Sequence, residues 1–339
     1  MTVEFPDATH SAATLQPDRT RRRLLLMSLA AGAAAAIGPT RAWAAFPEKP
    51  VRIVVPLAAG GATDVLTRLL AEAMTSILGQ QVIVENRTGA SGQIAVDYVA
   101  RAQPDGYTLL MATLGTVILP QTNAGFDADV LNKLQPISKI DARPVYLVAT
   151  SSLPANNISE ILEYAKANPG KVRYAASGAS DILGIGHLNK LAGVDIQVVR
   201  YQGGAPATQA VVAGQVELTF ATPGPVAPFV KSGELKIVAV TSLERLPELP
   251  DVPAIAEAVP GYDFISWTGL AAPAGTPAEA MEAISAAVRQ TLSDQMVLQR
   301  LRDMGAWPSP STSEEFAEFF HAEIEKWADV AASIGFTPQ

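Results

Sequence analysis

Four short loops rich in glycine and hydroxyl side chains are the parts of this sequence best suited to bind a small anion. In the first loop, residues 56–64, Gly60 and Gly61 lie between a predicted strand and a predicted helix, where free N–H groups at the helix start attract negative charge. Asp64 follows in the first helical turn, where it either caps the helix or contacts the ligand. The loop could also be a tight turn with no ligand, since it matches neither a Walker loop nor a dinucleotide G-x-G-x-x-G pattern.

The other three loops, residues 113–116, 177–181 and 201–207, also follow predicted strands. Ligands in α/β proteins bind at the carboxyl ends of strands, so four such loops at equivalent positions indicate a shared site more strongly than any one of them. The candidate ligand-binding residues that these loops supply are Ala59, Gly60, Gly61, Asp64, Thr116, Ser177, Ser180, Tyr201, Gly203 and Gly204.

The composition excludes most bond-making chemistry. The 339 residues include no cysteine and only three histidines, which rules out thiol chemistry and leaves little material for a metal centre. No G-x-S-x-G motif is present, and Ser177, Asp181 and His187 are too close together in the chain to suggest a catalytic triad. A net charge of −8 argues against a nucleic-acid partner. We expect no catalysis, no metal and no cofactor.

The N-terminal residues 1–44 are typical of a cleaved export signal. The basic cluster Thr20-Arg21-Arg22-Arg23 precedes an apolar run over residues 24–37 and the small-residue tripeptide Ala42-Trp43-Ala44. The order resembles a twin-arginine signal, although a general export signal could look the same. The apolar run is shorter than the roughly 20 residues that a membrane anchor needs, and a lipid anchor would need a cysteine. Cleavage would leave 20 basic and 30 acidic side chains, a net charge of −10, on a periplasmic protein.

Two α/β units must position the four loops. Predicted strands at 51–55, 81–85 and 107–112 alternate with helices at 62–78 and 91–102, and the alternation starts again after a strand at 145–149. In the second unit, a helix at 182–191 follows the third loop. Two helices, about 277–292 and 313–332, close the chain. This pattern predicts an α/β fold with two lobes around a cleft.

Five motifs follow one another along the chain: Pro56-x-x-x-Gly60-Gly61-x-x-Asp64, Val84-Glu85-Asn86-Arg87, Pro104-Asp105-Gly106-Tyr107, Tyr201-x-Gly203-Gly204-x-Pro206-Ala207 and Ser266-Trp267-x-Gly269-Leu270. In their order and spacing they resemble the tripartite tricarboxylate transporter solute receptors, or Bug-type receptors. The resemblance covers the chain from Phe46 to its C-terminus. It implies a type II periplasmic-binding-protein fold, in which two lobes, each with a helix-flanked β-sheet, are joined by two crossing strands, here residues 145–150 and 262–270. Lobe 1 would comprise residues 45–147 plus 264–339, and lobe 2 residues 148–263.

The resemblance also adds three candidate site residues at positions where this sequence departs from the family pattern. Leu57 stands where the family often has Phe, Leu114 where it often has Ser, and Ala221 where it often has Asp. Family members bind small carboxylates between the lobes through loop amides, hydroxyls and bridging waters. The apolar changes favour a larger or less polar carboxylate than an α-amino acid.

The resemblance implies that the protein captures a small organic carboxylate and presents it to a membrane transporter, as a monomer. One alternative is that it acts as a ligand co-receptor for a sensor kinase. Another is that it is a periplasmic enzyme on the same fold.

Overall fold

The computed structural model describes residues 1–2 and 46–338. All but the first two residues of the predicted export signal therefore lie outside the described part of the chain. Among the described residues, no helix is long and apolar enough to cross a membrane.

The first sheet has six strands in the order β11-β4-β10-β3-β1-β2. Strands β1, β2 and β3 run parallel, whereas β10 pairs antiparallel with both β3 and β4. Buried aliphatic side chains from both faces pack against helices, which explains the apolar character of these strands. The strands are β1 (Val51–Val55), β2 (Val82–Asn86), β3 (Thr108–Thr113), β4 (Leu134–Pro144), β10 (Ile265–Pro273) and β11 (Trp307–Pro308).

The second sheet has five strands in the order β7-β6-β8-β5-β9. Here β6 runs parallel to β7 and β8, while β5 runs antiparallel to β8 and β9. The strands are β5 (Tyr146–Thr150), β6 (Arg173–Ala176), β7 (Gln197–Arg200), β8 (Leu218–Ala221) and β9 (Leu235–Val240).

Helices pack against both sheets, which confirms the predicted α/β fold with two helix-flanked sheets. The chain segments of the first sheet carry α1 (Ala62–Leu78), α2 (Gln93–Ala100), α3 (Leu114–Val117), α4 (Leu119–Thr122), α10 (Ala278–Thr291), α11 (Gln295–Asp303) and α12 (Ser313–Ser333). Those of the second sheet carry α5 (Ile158–Ala167), α6 (Ala179–Ala192), α7 (Gly204–Val212), α8 (Pro223–Ser232) and α9 (Ile255–Ala258). Short 3₁₀ turns span Ala90–Gly92 and Ala128–Lys133.

Strand β4 was missed by the sequence analysis, although it is central to the first sheet. Its eleven residues include Pro136 and the buried charged residues Asp141 and Arg143, so its hydropathy does not indicate a core strand. Pro136 is accommodated opposite Ala271, next to an irregularity in the pairing with β10, where a missing N–H does not interrupt a regular ladder.

The chain passes between the two sheets twice, and the two links lie side by side. The first passage is at Val145, between β4 and β5, and the second lies between β9 and β10. The Val145 N–H donates to Thr241 Oγ1 at 3.0 Å, and the Thr241 N–H donates to the Val145 carbonyl at 3.1 Å. The predicted lobe boundary after residue 147 falls inside β5, whose five residues all pair in the second sheet. The change of sheet lies instead at Val145, because β4 extends to Pro144.

Helix α12 contacts both lobes, that is, the parts of the chain built on the first and second sheets. A reciprocal capping box between Thr312 and Glu315 starts the helix, and the Ser313 hydroxyl donates to the Ile137 carbonyl of β4 at 2.7 Å. Just after the helix, Ile334 packs so closely on Gly186 of α6 that a Cβ there would lie 2.5 Å from Ile334 Cδ1. The last helix therefore bridges the two sheets.

Candidate functional site

A cleft of about 440 Å³ lies between the two lobes. Both lobes contribute to its wall, at the ends of β1, β3, β6 and β8, at the starts of α6 and α7, and along β10. The cleft is lined by Leu57, Thr63, Thr113, Leu114, Gly115, Val145, Ser177, Ser180, Asp181, Gly204, Ala205, Thr208, Phe220, Ala221, Thr222, Pro225, Phe264, Ser266, Trp267 and Thr268.

A larger groove, of about 830 Å³, lies at the outer edge of the first sheet beside β2 and α2. It is built from one lobe alone, and its basic side chains are largely paired with acids: Arg52 and Arg87 with Glu85, and Lys49 with Asp105. The interlobe cleft, where strand ends and helix starts of both lobes meet, is the better candidate site.

In the first loop, Asp64 holds the backbone in place. Its carboxylate accepts the Gly60 N–H at 2.8 Å, the Asn86 amide at 2.9 Å and the Arg68 guanidinium at 3.0 Å. Burial raises the pKa of Asp64, but the hydrogen bonds from Arg68, Gly60 and Asn86 together lower it below its ordinary value. The Gly60 N–H, expected to be free for an anion, is thus engaged within the loop, and the Gly61 N–H points to the Ala58 carbonyl at 3.4 Å.

The second loop is the single helical turn α3 rather than an irregular loop. The Thr113 N–H donates to Thr116 Oγ1 at 3.1 Å, so the Thr116 hydroxyl caps the turn and is buried. Leu114 and Gly115, in contrast, line the cleft.

The third loop is shorter than predicted, because α6 begins at Ala179 rather than at residue 182. Ser180 and Asp181 therefore lie in the first helical turn. Ser177 donates to Asp181 Oδ2 twice, from its N–H at 2.9 Å and its hydroxyl at 2.5 Å. Burial raises the pKa of Asp181, and the bonds from Ser177 only partly offset this.

No Ser–His–Asp relay forms at this loop among the described residues. The Ser177 hydroxyl donates to Asp181, while His187 stacks on Tyr262 with 5.7 Å between ring centroids and does not line the cleft. Burial lowers the pKa of His187.

In the fourth loop, Gly203 has a φ of +105° and precedes α7, so that Gly204, Ala205 and Thr208 reach the cleft. The Tyr201 N–H continues the pairing of β6 and β7 by donating to the Ala176 carbonyl at 2.8 Å.

Six of the thirteen candidate site residues line the cleft: Leu57, Leu114, Ser177, Ser180, Gly204 and Ala221. The other seven do not: Ala59, Gly60, Gly61, Asp64, Thr116, Tyr201 and Gly203. Direct ligand contact stays a prediction for all thirteen.

Strand β10 also lines the cleft, with Ser266, Trp267 and Thr268, none of which is among the thirteen candidate residues. From the sequence, Trp267 could either pack the hinge or face the cleft. The Trp267 indole N–H donates to Glu323 at 3.1 Å, and its ring packs edge-on against Phe316. Trp267 therefore both lines the cleft and packs the core. The quoted Ser266-Trp267 motif was the signal that could have identified this strand as part of the site.

Two helix-flanked sheets, joined by two adjacent links and enclosing a cleft at their strand ends, define the type II periplasmic-binding-protein fold. The class is that of the solute-binding proteins. This chain belongs to the family described as the tripartite tricarboxylate transporter family receptor, whose family model matches residues 66–336.

Known relatives agree with this assignment. The chain is 31% identical to protein BugT of Bordetella pertussis over 301 residues, which cover 86% of this chain and 90% of BugT. The solved structure of R. palustris Rpa4515 with adipate is 34% identical, with a TM-score of 0.73, covering 87% of this chain and 100% of Rpa4515. MatC (Rpa3494) from Rhodopseudomonas palustris with bound malate is also 34% identical, with a TM-score of 0.69, covering 84% of this chain and 100% of MatC.

Proposed function

We propose that this protein is a periplasmic receptor that captures a small carboxylate-bearing ligand in the interlobe cleft. It then presents the ligand to a tripartite tricarboxylate-type membrane transporter. The observation that carries the proposal is the cleft itself, where strand ends and helix starts of both lobes converge. Adipate and malate, the ligands of the two solved relatives, are both small carboxylates.

Binding would depend on hydroxyl and N–H donors, because the cleft lining includes no lysine, arginine or histidine from residues 46–338, the range that the structure describes around it. The hydroxyls of Ser180, Thr208 and Ser266, together with backbone N–H groups at the starts of α6 and α7, supply such donors. Hydrogen bonds to a charged group contribute about 1.5–3 kcal/mol each. Three or four of them support micromolar affinity after the losses on association and closure.

Ligand capture would close the two lobes about the links at Val145 and Thr241. The donors of the second lobe would then complete a site that the first lobe begins. The closed form would be the one that docks on the transporter.

The test is calorimetric titration of the purified protein with adipate, malate, aspartate and glutamate, preceded by native mass spectrometry to weigh any co-purified ligand. We expect at least one carboxylate to bind with micromolar affinity or better, with a preference for the less polar ones. The absence of carboxylate binding would overturn the receptor function. A preference for aspartate or glutamate would contradict the prediction, based on Leu57 and Leu114, that the ligand is a less polar carboxylate.

The membrane partner is tested separately, by pull-down from membranes with and without the bound carboxylate. Ligand-dependent recovery of transporter subunits supports the proposal. Ligand-dependent recovery of a sensor kinase would replace it with the co-receptor function.

A further inference from the structure

The charge distribution of the cleft is unusual for a site that takes an anion. Of the described residues that line it, Asp181 is the only one with a charged side chain, and none is basic. An ionised aspartate beside a carboxylate ligand is repulsive unless something separates or neutralises the two charges.

Asp181 is held firmly in this position. Asp181 lies in the first turn of α6. Within the described residues its carboxylate accepts two hydrogen bonds, one from the Ser177 N–H and one from the Ser177 hydroxyl, and both go to Oδ2. A carboxylate offers about four acceptor positions and no donor. Asp181 therefore retains acceptor capacity for a hydrogen-bond donor that enters the cleft.

The two titratable groups that respond to the charge of Asp181 do not neutralise it. Tyr174 of β6 and Tyr262, which precedes β10, are buried. The pKa of Tyr174 is raised by burial and then by the charge of Asp181, and that of Tyr262 by burial, then by the charge of Asp263 and then by that of Asp181. No ion pair involves Asp181 among the residues that the structure describes.

We infer that Asp181 determines specificity at the second-lobe end of the cleft: it accepts a hydroxyl, amide or ammonium donor from the ligand and excludes a second ionised carboxylate. The ligand class is then a monocarboxylate with a hydrogen-bond donor at its other end. The inference rests on the proposed function and narrows it.

The test compares matched ligands of equal chain length by calorimetry at pH 7.5: adipate against 6-hydroxyhexanoate, and succinate against 4-hydroxybutyrate. We expect the hydroxy acid of at least one pair to bind about tenfold or more tightly than its dicarboxylate. In Asp181→Asn we expect the ratio of the two affinities, hydroxy acid over dicarboxylate, to fall to about threefold or less, because the dicarboxylate binds more tightly to the variant than to the wild type. A gain in binding cannot result from misfolding.

Asp195→Asn is the matched control, since it removes the same charge from an exposed position on the second lobe, away from the cleft. The control should keep the wild-type ratio. Equal binding of both members of each pair, or an unchanged ratio in Asp181→Asn, would overturn the inference and leave the receptor function intact. If none of the four compounds bound, the receptor function would lose its support and this inference would fall with it.

Discussion

Asp64 and Asp181 occupy the same position in the two lobes. Each is the third residue of a helix that follows a strand, and each carboxylate accepts the backbone N–H four residues earlier, from Gly60 at 2.8 Å and from Ser177 at 2.9 Å. Their surroundings differ, because Asp64 also binds Arg68 and Asn86, whereas Asp181 has no cationic partner in the described part of the chain. The same local motif is thus a structural clamp in the first lobe and a potential ligand group in the second.

Replacing the two aspartates should have opposite effects on stability. Asp64→Asn places an amide where Arg68 and Asn86 donate, so we expect the free energy of unfolding at pH 7 to fall by about 1.5–3 kcal/mol. Asp181→Asn keeps an acceptor for Ser177 and removes an unpaired buried charge, so its stability should equal or exceed that of the wild type. Urea denaturation measures both. A comparable loss in the two variants would contradict the difference in their environments.

The same pair predicts opposite pH dependences. The folded-state pKa of Asp64 lies below its ordinary 3.8, so its contribution is present above about pH 4 and is lost as the pH falls. The folded-state pKa of Asp181 lies above 3.8, so its contribution is present at low pH and is lost as the pH rises. The difference in free energy of unfolding between the wild type and Asp64→Asn should therefore shrink as the pH falls below about 4. The free energy of unfolding of Asp181→Asn should increasingly exceed that of the wild type as the pH rises from 4 towards 7.

Gly60 should contribute to carboxylate binding as well as to the stability of the fold. It has a φ of +80° with open space where a Cβ would stand, and Gly79, at the end of α1, has a φ of +66° with equally open space. Alanine at either position should lower stability by about 1–2 kcal/mol, because an L-residue is strained there. Only Gly60→Ala should also weaken carboxylate binding in calorimetry, since its loop carries Leu57 and Thr63 into the cleft. If Gly60→Ala and Gly79→Ala bound the carboxylate with equal affinity, the first loop would have no role in ligand binding.

The Thr241 hydroxyl should stabilise the first link. Thr241→Val leaves the Val145 N–H without its acceptor in a buried setting, which destabilises by about 1–3 kcal/mol. Thr241→Ser restores the hydroxyl and should recover most of that loss in thermal denaturation. If both variants were equally unstable, the missing methyl group or altered packing, rather than this hydrogen bond, would be responsible.

Glu323 should stabilise the fold more through the hydrogen bonds that its carboxylate accepts than through its charge. Its Oε2 accepts both the Trp267 and the Trp327 indole N–H, each at 3.1 Å, and all three side chains are buried. Glu323→Ala leaves both donors unpaired and should destabilise by about 2–5 kcal/mol. Glu323→Gln keeps an acceptor and should lose less, as measured by tryptophan fluorescence in urea. Equal losses would indicate that the ion pair with Lys326 dominates.

The elements with regular apolar periodicity could be predicted from the sequence. Helices α1 and α12 and strand β1 lie within one or two residues of the predicted bounds. Each helix buries an apolar face, and β1 is a short apolar run that is buried on both faces. Strand β4 could not be predicted in this way. It carries a buried pair of charges, with Arg143 Nε 2.5 Å from Asp141 Oδ2, and the Thr268 hydroxyl of the neighbouring strand β10 donates to Asp141. A hydropathy pattern does not reveal such partners.

The candidate site was predictable in its location but not in its atoms. Glycines and hydroxyls marked the right strand ends, yet whether a given N–H is free depends on side chains such as Asp64 that reach back to it. The sequence places Asp181 in a loop, because Ser180 and Asp181 are weak helix formers. In the structure Asp181 lies in the first turn of α6, where it accepts hydrogen bonds from the Ser177 N–H and hydroxyl.

Helix α12 makes the lobes thermodynamically dependent on each other. Phe316 and Phe320 complete the core beside Trp267, while Ile334, one turn beyond Val330, fills the surface of α6 over Gly186. Detaching this helix would remove the aromatic contacts of Trp267 in the first lobe and the contact of Ile334 with Gly186 in the second. The two lobes should therefore melt as one cooperative unit, and a cut before Ser313 should cost both of them their native fold.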